Sequence, residues 1–237
     1  MSRIICIIGN KGGTGKTTLS HMLCQGLGLL GQRSACVLTD TSRDPLSPDG
    51  RRYITADART PAALQKVVGK LRTMEGWIGV IDGGGNRADV DRSLNELADI
   101  VLLPFRDSHE DLRTVLRDLE AFPHAYALPS QWPTNAWQRD AADRNVTQLL
   151  GSYRDRLLHP VASLSASKLL LQKNIPDSLP STLGNACRAL ARQVMDVLEI
   201  GEAEADAHQS SAEASHRTPL TPPSTVLPEG YVSTRHH

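Results

Sequence analysis

Short apolar runs alternate along this chain with longer segments in which apolar positions recur every three or four residues. The first run, Arg3 to Gly9, is rich in isoleucine, which is typical of a strand buried on both faces. The segment after it, Thr17 to Leu30, has helical periodicity. The same patterns predict further strands at 34–39, 77–82, 100–105, 124–128 and within 157–164. They predict further helices at 60–72, 89–97, 108–122, 135–156 and 182–200. Thr60, followed by Pro61, and Ser108, followed three residues on by Asp111, are the predicted capping residues of two of these helices.

Strands that alternate with helices predict an α/β fold with a doubly wound, mostly parallel sheet and helices on both faces. Residues 41–59 are rich in Asp, Arg, Ser and Pro, so we predict a loop there. We assign residues 1–200 to one domain. The tail, residues 201–237, has few large apolar residues, and we expect it to be disordered because it cannot bury enough surface to offset its ordering entropy.

The composition is that of a cytoplasmic protein with an aliphatic core. Of the 237 residues, 40% are apolar and only 4% aromatic, and the formal charge is zero. The small positive excess in residues 1–200 does not by itself indicate a nucleic-acid partner. The four cysteines form no C-x-x-C pair and are predicted to be reduced core residues. No apolar run approaches the roughly 18 residues of a membrane span, and the N-terminal run is too short for a signal peptide.

The clearest chemical motif is "NKGGTGKT", Asn10 to Thr17, between the first strand and the first helix. Its glycines let successive backbone amides turn toward phosphate oxygens, and the helix N-terminus adds a positive end. Lys16 would contact the β- and γ-phosphates, the Thr17 hydroxyl would ligate Mg²⁺, and Thr18 would donate to a phosphate. The predicted nucleotide-binding residues are Lys11, Gly12, Gly13, Thr14, Gly15, Lys16, Thr17 and Thr18.

Two positions distinguish this loop from the strict G-x-x-x-x-G-K-[ST] pattern. Asn10 stands where that pattern has its first glycine, and Lys11 is an additional lysine. With these features the chain resembles the ParA/MinD family of P-loop ATPases, whose loop reads x-K-G-G-x-G-K-[ST]. The resemblance implies a P-loop NTPase fold and a homodimer that encloses ATP, with Lys11 contacting the partner's nucleotide and Lys16 its own. The alternative is that Lys11 is a solvated lysine beside an ordinary site.

Two aspartates follow predicted strands and are candidate magnesium ligands. Asp40 follows "ACVLT" and Asp82 follows "WIGVI", so both stand at carboxyl ends of strands in a parallel sheet. The resemblance implies that Asp40 begins the first switch and that Asp82 is the Walker B residue, with the mobile glycines Gly83, Gly84 and Gly85 in the second switch. The predicted metal ligands are Thr17, Asp40 and Asp82. Alternatively, Asp82 only caps a turn.

The first switch departs from the D-x-D-P form of the family. The chain reads "DTSRDP" from Asp40, so Ser42 takes the place of the second acid unless a two-residue insertion assigns that place to Asp44. A serine cannot accept a proton from the attacking water as a carboxylate can. We therefore predict slow ATP hydrolysis. The predicted catalytic residues are Lys11, Lys16, Asp40 and Asp44.

The resemblance, which runs from Arg3 to about Phe122, implies a protein that positions or partitions DNA or another cargo. It places Asp107, Ser108 and Asp111 near the dimer contact, and it implies a ParB-like or cargo-adaptor partner. ParA-like members bind non-specific DNA, whereas MinD-like members bind membrane through a C-terminal amphipathic helix. The segment "RTPLTPPSTVLPEGY" has no apolar face and little basic charge, so we expect no membrane binding.

Non-specific DNA, with nucleoid association in the ATP state, is the predicted alternative to membrane. The candidate phosphate contacts are Arg154, Arg156, Lys168, Lys173, Arg188 and Arg192. They could also form an ordinary solvated face. Two other functions stay open: a nucleotide-binding scaffold or regulator with little hydrolysis, such as a polar-localisation or conjugation accessory protein, and a biosynthetic P-loop enzyme related to dethiobiotin synthetase. The latter needs a small-molecule pocket and is disfavoured by Lys11.

Overall fold

A computed structural model describes residues 2–84, 88–176 and 178–200. Within these residues one sheet of six parallel strands has the order β3-β2-β4-β1-β5-β6. The strands are β1 Arg3–Ile7, β2 Arg33–Leu38, β3 Ile54–Asp57, β4 Trp77–Asp82, β5 Ile100–Phe105 and β6 Ala125–Pro129. The helices are α1 Lys16–Leu29, α2 Pro61–Thr73, α3 Ala88–Leu97, α4 His109–Ala121, α5 Ala136–Leu150 and α6 Ser181–Val197. Two 3₁₀ helices cover Gly151–Arg156 and Ser165–Leu171. This is the predicted doubly wound α/β fold.

The central strand β1 is buried on both faces, as its unbroken apolar run predicted. Ile5 and Ile7 point into a core formed with α1 and α6. Ile4, Cys6 and Ile8 point into a second core formed with α2, α3, α4 and α5. Because successive strand residues face opposite sides of a sheet, a single isoleucine-rich strand supplies both cores.

The strand register brings the predicted site residues to one edge of the sheet. Ile7, at the end of β1, lies opposite Asp82 of β4, and Asp82 lies opposite Leu38 of β2. The carboxyl ends of these three strands are therefore level. The segments that follow them, which contain the predicted phosphate loop and the two predicted switches, meet at this edge.

Helix starts follow the predicted capping residues. The Thr60 hydroxyl accepts a hydrogen bond of 3.2 Å from the Ala63 amide, with Pro61 in the first turn of α2. The Ser108 hydroxyl accepts one of 3.1 Å from the Asp111 amide at the start of α4. A side-chain oxygen at the N-cap satisfies a backbone amide that has no partner within the helix.

Helix α6 crosses α1 at a glycine. A β-carbon added to Gly26 would lie 2.0 Å from the carbonyl oxygen of Cys187, so only glycine permits this approach. The contact buries one side of α6, including Leu190 and Val194. All four cysteines are buried and unpaired, as predicted.

Three sequence predictions were wrong in detail. Residues 157–164 form no strand: Leu157 and Ala162 make only isolated bridges, because Pro160 interrupts the segment. The sheet instead gains a strand that was not predicted, β3, which lies inside the predicted loop 41–59. This strand has only four residues, stands at the edge of the sheet and has no fully buried residue, so its apolar pattern is weak. The α-helix predicted to reach residue 156 ends at Leu150 and continues as 3₁₀ helix.

Two predictions lie outside the described residues: the disorder of the tail 201–237 and the mobility of Gly85. In the described ranges, no helix has the length and apolar character needed to cross a membrane.

Candidate functional site

The phosphate loop joins β1 to α1 and has the backbone geometry that its glycines predict. Gly13 and Gly15 have φ angles of 78° and 87°, in the left-handed region that favours glycine. Gly15 is the N-cap of α1, so the positive end of the helix faces the cavity enclosed by the loop. This cavity has a volume of about 370 Å³, and residues 12–18, Asp40, Arg43, Gly84 and Gln131 line it.

Lys16 is buried at the base of this loop. Its ammonium group donates to the backbone carbonyls of Gly9 at 2.9 Å and Lys11 at 2.7 Å. Burial lowers the pKa of Lys16, and the nearby carboxylates of Asp91 and Asp82 partly offset this effect. An ammonium group has three donors, so two hold the side chain in place and one is left for a ligand in the cavity.

Lys11 points in a different direction from Lys16. Its ammonium nitrogen lies 2.5 Å from Oε2 of Glu110 and 3.8 Å from Oδ1 of Asp111, both in the first turn of α4. The Lys11 side chain is not among the groups that line the cavity of its own loop. The side chains of the two lysines therefore have different surroundings.

Asp82 is buried at the end of β4, next to Thr17. Its Oδ2 atom has no hydrogen-bond partner among the described residues, and Oδ1 receives a long 3.5 Å bond from the Gly84 amide. Burial raises the pKa of this carboxyl, and the Thr17 hydroxyl only partly offsets the rise. An unpartnered buried carboxylate oxygen beside a threonine hydroxyl is a set of hard oxygen ligands that fits Mg²⁺ with its retained waters.

Asp40 lies on the wall of the phosphate cavity, but both of its oxygens are engaged. Oδ1 accepts from the Ser42 amide at 2.9 Å and the Ser42 hydroxyl at 2.7 Å, and Oδ2 accepts from Nε of Arg43 at 3.3 Å. Burial alone would raise the pKa of Asp40, but these hydrogen bonds and the Arg43 charge outweigh it and lower the pKa. Ser42 therefore acts as a partner of Asp40.

Asp44 is exposed and lines a neighbouring cavity of about 280 Å³. Thr17 and Arg43 line both this cavity and the phosphate cavity, and Asp82 and His21 also contribute to the second one. The biosynthetic alternative requires a small-molecule pocket, and the second cavity lies just below the usual range of about 300–1,000 Å³ for such pockets.

Two residues that the sequence did not indicate support the loop from the end of β6. The Ser130 hydroxyl donates to the Thr14 carbonyl at 2.7 Å, and Nε2 of Gln131 donates to the Gly13 carbonyl at 2.8 Å. Gln131 has a φ angle of 53°, which is uncommon for a residue other than glycine. These contacts span more than 100 residues, so no local motif could have revealed them.

A third cavity, of about 410 Å³, adjoins the loop at Gly15 and Thr18. Ser163, Ser165 and Lys168 line its far side. Gly15, Thr18 and Gln131 line both this cavity and the phosphate cavity, so the two are adjacent.

The six basic residues proposed for DNA do not form one cluster. Arg156 donates to the backbone carbonyls of Leu119, Phe122 and Pro123 at 2.9–3.0 Å, which argues against a role as a phosphate ligand. Arg156 lies at the amino end of β6, whereas Lys168 lines the third cavity, at the carboxyl end of the same strand. The length of the five-residue strand separates the two side chains by about 15 Å. Of the other five, Arg154, Lys168, Lys173 and Arg192 are exposed, and Arg188 is half-buried, as Arg156 is.

No protein-family profile matches this chain, and neither does any curated protein sequence. Solved structures do match. A McdA variant from Cyanothece in complex with ATP superposes with a TM-score of 0.62 at 16% identity, over 84% of this chain and 97% of that one. A Borrelia burgdorferi protein described as a plasmid partition protein, bound to AMPPNP, gives 0.61 at 14% identity, over 83% and 100%.

A third similar structure is the septum site-determining protein MinD from Pyrococcus horikoshii, complexed with Mg-ADP. It superposes with a TM-score of 0.60 at 18% identity, over 82% of this chain and 96% of that one. This chain therefore shares the fold of these MinD, McdA and plasmid partition proteins.

Proposed function

We propose that this chain is a ParA-like ATPase that binds ATP and Mg²⁺, encloses the nucleotide in a homodimer and hydrolyses it slowly. The observation that carries the proposal is the arrangement at the start of α1. The buried Lys16 and the Thr17 hydroxyl stand at a helix N-terminus, next to a buried Asp82 oxygen without a partner. The structures that share this fold include complexes with ATP, AMPPNP and Mg-ADP.

Each group in the site has a role in this proposal. The loop amides and the remaining donor of Lys16 hold the β- and γ-phosphates, and the Thr18 hydroxyl donates to a phosphate oxygen. The nucleoside occupies the cavity at Ser163 and Ser165. Thr17 and Asp82 would hold Mg²⁺, which supplies charge neutralisation of the phosphates when bound. Asp40 fits a direct metal contact less well, because both of its oxygens are engaged.

Lys11 supports the homodimer. Its side chain points away from its own phosphate cavity, toward the first turn of α4 at the carboxyl edge of the sheet. If two copies face each other at this edge, each Lys11 can reach the nucleotide of the partner. A trans contact of this kind makes dimerisation depend on the triphosphate, which gives the protein two states controlled by hydrolysis.

Slow hydrolysis follows from the first switch. The hydrogen bonds to Asp40 stabilise its ionised form and lower its pKa, which makes it a weak base at neutral pH. Asp44 lies on the wall of the neighbouring cavity. Turnover would therefore depend on a partner, such as a ParB-like or cargo-adaptor protein, that completes the site.

The lowered pKa of Asp40 also favours a second candidate function, a scaffold that binds nucleotide and barely hydrolyses it. ATP turnover with and without DNA separates the two. A rate that is unaffected by DNA and by Asp40→Ala or Asp44→Ala would support the scaffold. Turnover without any small-molecule acceptor would argue against the biosynthetic alternative.

Binding to non-specific DNA is the proposed output of the dimer. A few exposed lysines and arginines on one protomer would give a dissociation constant of roughly 10⁻⁴ M near physiological salt. A dimer joins two such surfaces, and the second contact then forms at a high effective concentration. DNA binding, and with it nucleoid association and cargo positioning, would thus depend on ATP.

Co-sedimentation with DNA in the presence of ADP, ATP or AMPPNP tests the proposal. We expect binding with ATP and AMPPNP, and little with ADP. Equal binding in all three nucleotides would contradict the coupling between nucleotide and DNA. Arg192→Ala should weaken binding, whereas Arg156→Ala should chiefly reduce stability, because Arg156 caps the carbonyls at the end of α4.

A further inference from the structure

The first turn of α4 holds two acidic residues with different surroundings. Asp111 has a fully buried carboxylate that accepts from Nε of Arg106 at 3.0 Å, from the Arg106 amide at 3.1 Å and from the Ser108 hydroxyl at 2.8 Å. Its charge is therefore compensated within the domain. These contacts also fix the start of α4, so Asp111 has a structural role at the carboxyl edge of the sheet.

Glu110 is the opposite case. Its side chain is 78% exposed, and its ion-pair partner among the described residues is Lys11. The Lys11 side chain is 28% exposed and lies between Glu110 and the buried Asp111. Removal of the Glu110 charge would therefore take away the nearer of the two carboxylates beside Lys11 without disturbing the Arg106–Asp111 pair.

We propose that Glu110 holds Lys11 in cis and competes for it with the nucleotide of a second copy of this chain. This inference rests on the proposed function, in which Lys11 acts across the dimer. In the single chain Lys11 is paired with Glu110, and only the fraction of chains in which this pair is open is competent to dimerise. Glu110 thereby sets the ATP and protein concentrations at which dimers form.

The expected effect is modest, because an exposed ion pair shifts an equilibrium by only about 1.5- to 5-fold. Each dimer needs two open pairs, so the competent fraction enters the association constant twice. Loss of the Glu110 charge should therefore tighten dimerisation by about 2- to 25-fold.

Sedimentation velocity over a concentration series, with AMPPNP and Mg²⁺, tests this proposal. The variants are Glu110→Gln and, as a matched control, Glu120→Gln, which removes the same charge from an exposed position at the other end of α4. We expect Glu110→Gln to tighten dimerisation and Glu120→Gln to leave it unchanged. An unchanged or weakened Glu110→Gln dimer, or equal tightening in both variants, would overturn the proposal.

A second measurement follows the ion pair itself in the nucleotide-free chain. An ammonium group engaged by a carboxylate is shielded from acylating reagents, so Lys11 should be acylated about 1.5- to 5-fold faster in Glu110→Gln, as measured by peptide mass spectrometry. Unchanged acylation would refute the cis pair. If the Lys11–Glu110 pair is confirmed but neither the wild type nor any variant dimerises, the proposed function is wrong, and so is the proposed competition for Lys11. If the wild type dimerises and Glu110→Gln does not tighten it, only the competition fails.

Discussion

The ammonium group of Lys16 donates a hydrogen bond of 2.7 Å to the backbone carbonyl of Lys11. The two lysines of the phosphate loop are thus in contact, but the Lys11 side chain extends to Glu110 on α4. One loop therefore presents one cation to its own cavity and another to the edge of the sheet.

Replacement of Lys16 by alanine should abolish most nucleotide binding. A charge-assisted hydrogen bond to a phosphate contributes about 1.5–3 kcal/mol, so the affinity should fall by about 10- to 150-fold when the one phosphate contact of the remaining Lys16 donor is lost. Isothermal titration with ATP and Mg²⁺ measures the loss. Lys66→Ala, on the exposed face of α2, is the control and should bind as the wild type does.

Asp82→Asn should preserve or raise the free energy of unfolding while it weakens Mg²⁺-dependent ATP binding. Because burial raises the pKa of Asp82, the folded chain binds the proton more tightly than the unfolded chain, and ionisation costs stability above the unfolded pKa of about 4. The variant should therefore be at least as stable as the wild type in urea at pH 7, with the difference vanishing at low pH.

The same variant should weaken ATP binding in Mg²⁺ but not in EDTA. Asp99→Asn is its control: Asp99 accepts from the Ile4 amide at 2.6 Å and from Arg72 at 2.8 Å, so that variant should lose stability and keep the Mg²⁺ dependence. ATP affinity of Asp82→Asn that depends on Mg²⁺ as in the wild type would disprove the metal role of Asp82.

Asp111→Asn should destabilise the domain in a pH-dependent way. Burial alone would raise the pKa of Asp111, but the hydrogen bonds from Arg106 and Ser108 outweigh it and lower the pKa. The carboxylate therefore contributes stability above the unfolded pKa of about 4, and this stability is lost as pH falls through the lower folded pKa. Urea unfolding at pH 7 should show a loss of about 2 kcal/mol, which shrinks in acid. A constant loss across this range would argue against an ionic role.

Gly26→Ala should reduce stability because the new methyl group would meet the Cys187 backbone at 2.0 Å. Overpacking of a buried contact costs about 1–3 kcal/mol in the free energy of unfolding, and a contact with backbone atoms falls at the upper end of this range. Gly69 in α2 is a matched control with no atom within 4 Å of an added β-carbon, so Gly69→Ala should stabilise the chain by about 0.5–1 kcal/mol. In thermal unfolding we expect a lower melting temperature than the wild type for Gly26→Ala and a higher one for Gly69→Ala.

The sequence predicted those parts of the site that depend on neighbouring residues. The phosphate loop is contiguous, and its glycines, lysine and threonines imply the geometry without further information. Asp40 and Asp82 were found because they directly follow apolar strands in a parallel sheet. The capping residues Thr60 and Ser108 were found because each acts on an amide three residues away.

Contacts between distant segments could not be predicted in this way. The partner of Lys11 is 99 positions away on α4, and Gln131 reaches a loop 118 positions before it. Strand β3 was missed because a four-residue edge strand with partly exposed side chains has little apolar signal. Arg156 looked like a phosphate ligand, since its sequence context does not show the carbonyls of α4 that occupy its guanidinium.

The central claim is that Lys11 acts across a dimer that encloses ATP. Sedimentation velocity of wild type and Lys11→Ala in AMPPNP and Mg²⁺, with nucleotide binding checked by titration, tests it most directly. We predict that both proteins bind the nucleotide and that only the wild type sediments as a dimer. Wild-type protein that stays monomeric at saturating nucleotide, or a Lys11→Ala variant that dimerises equally well, would contradict this account.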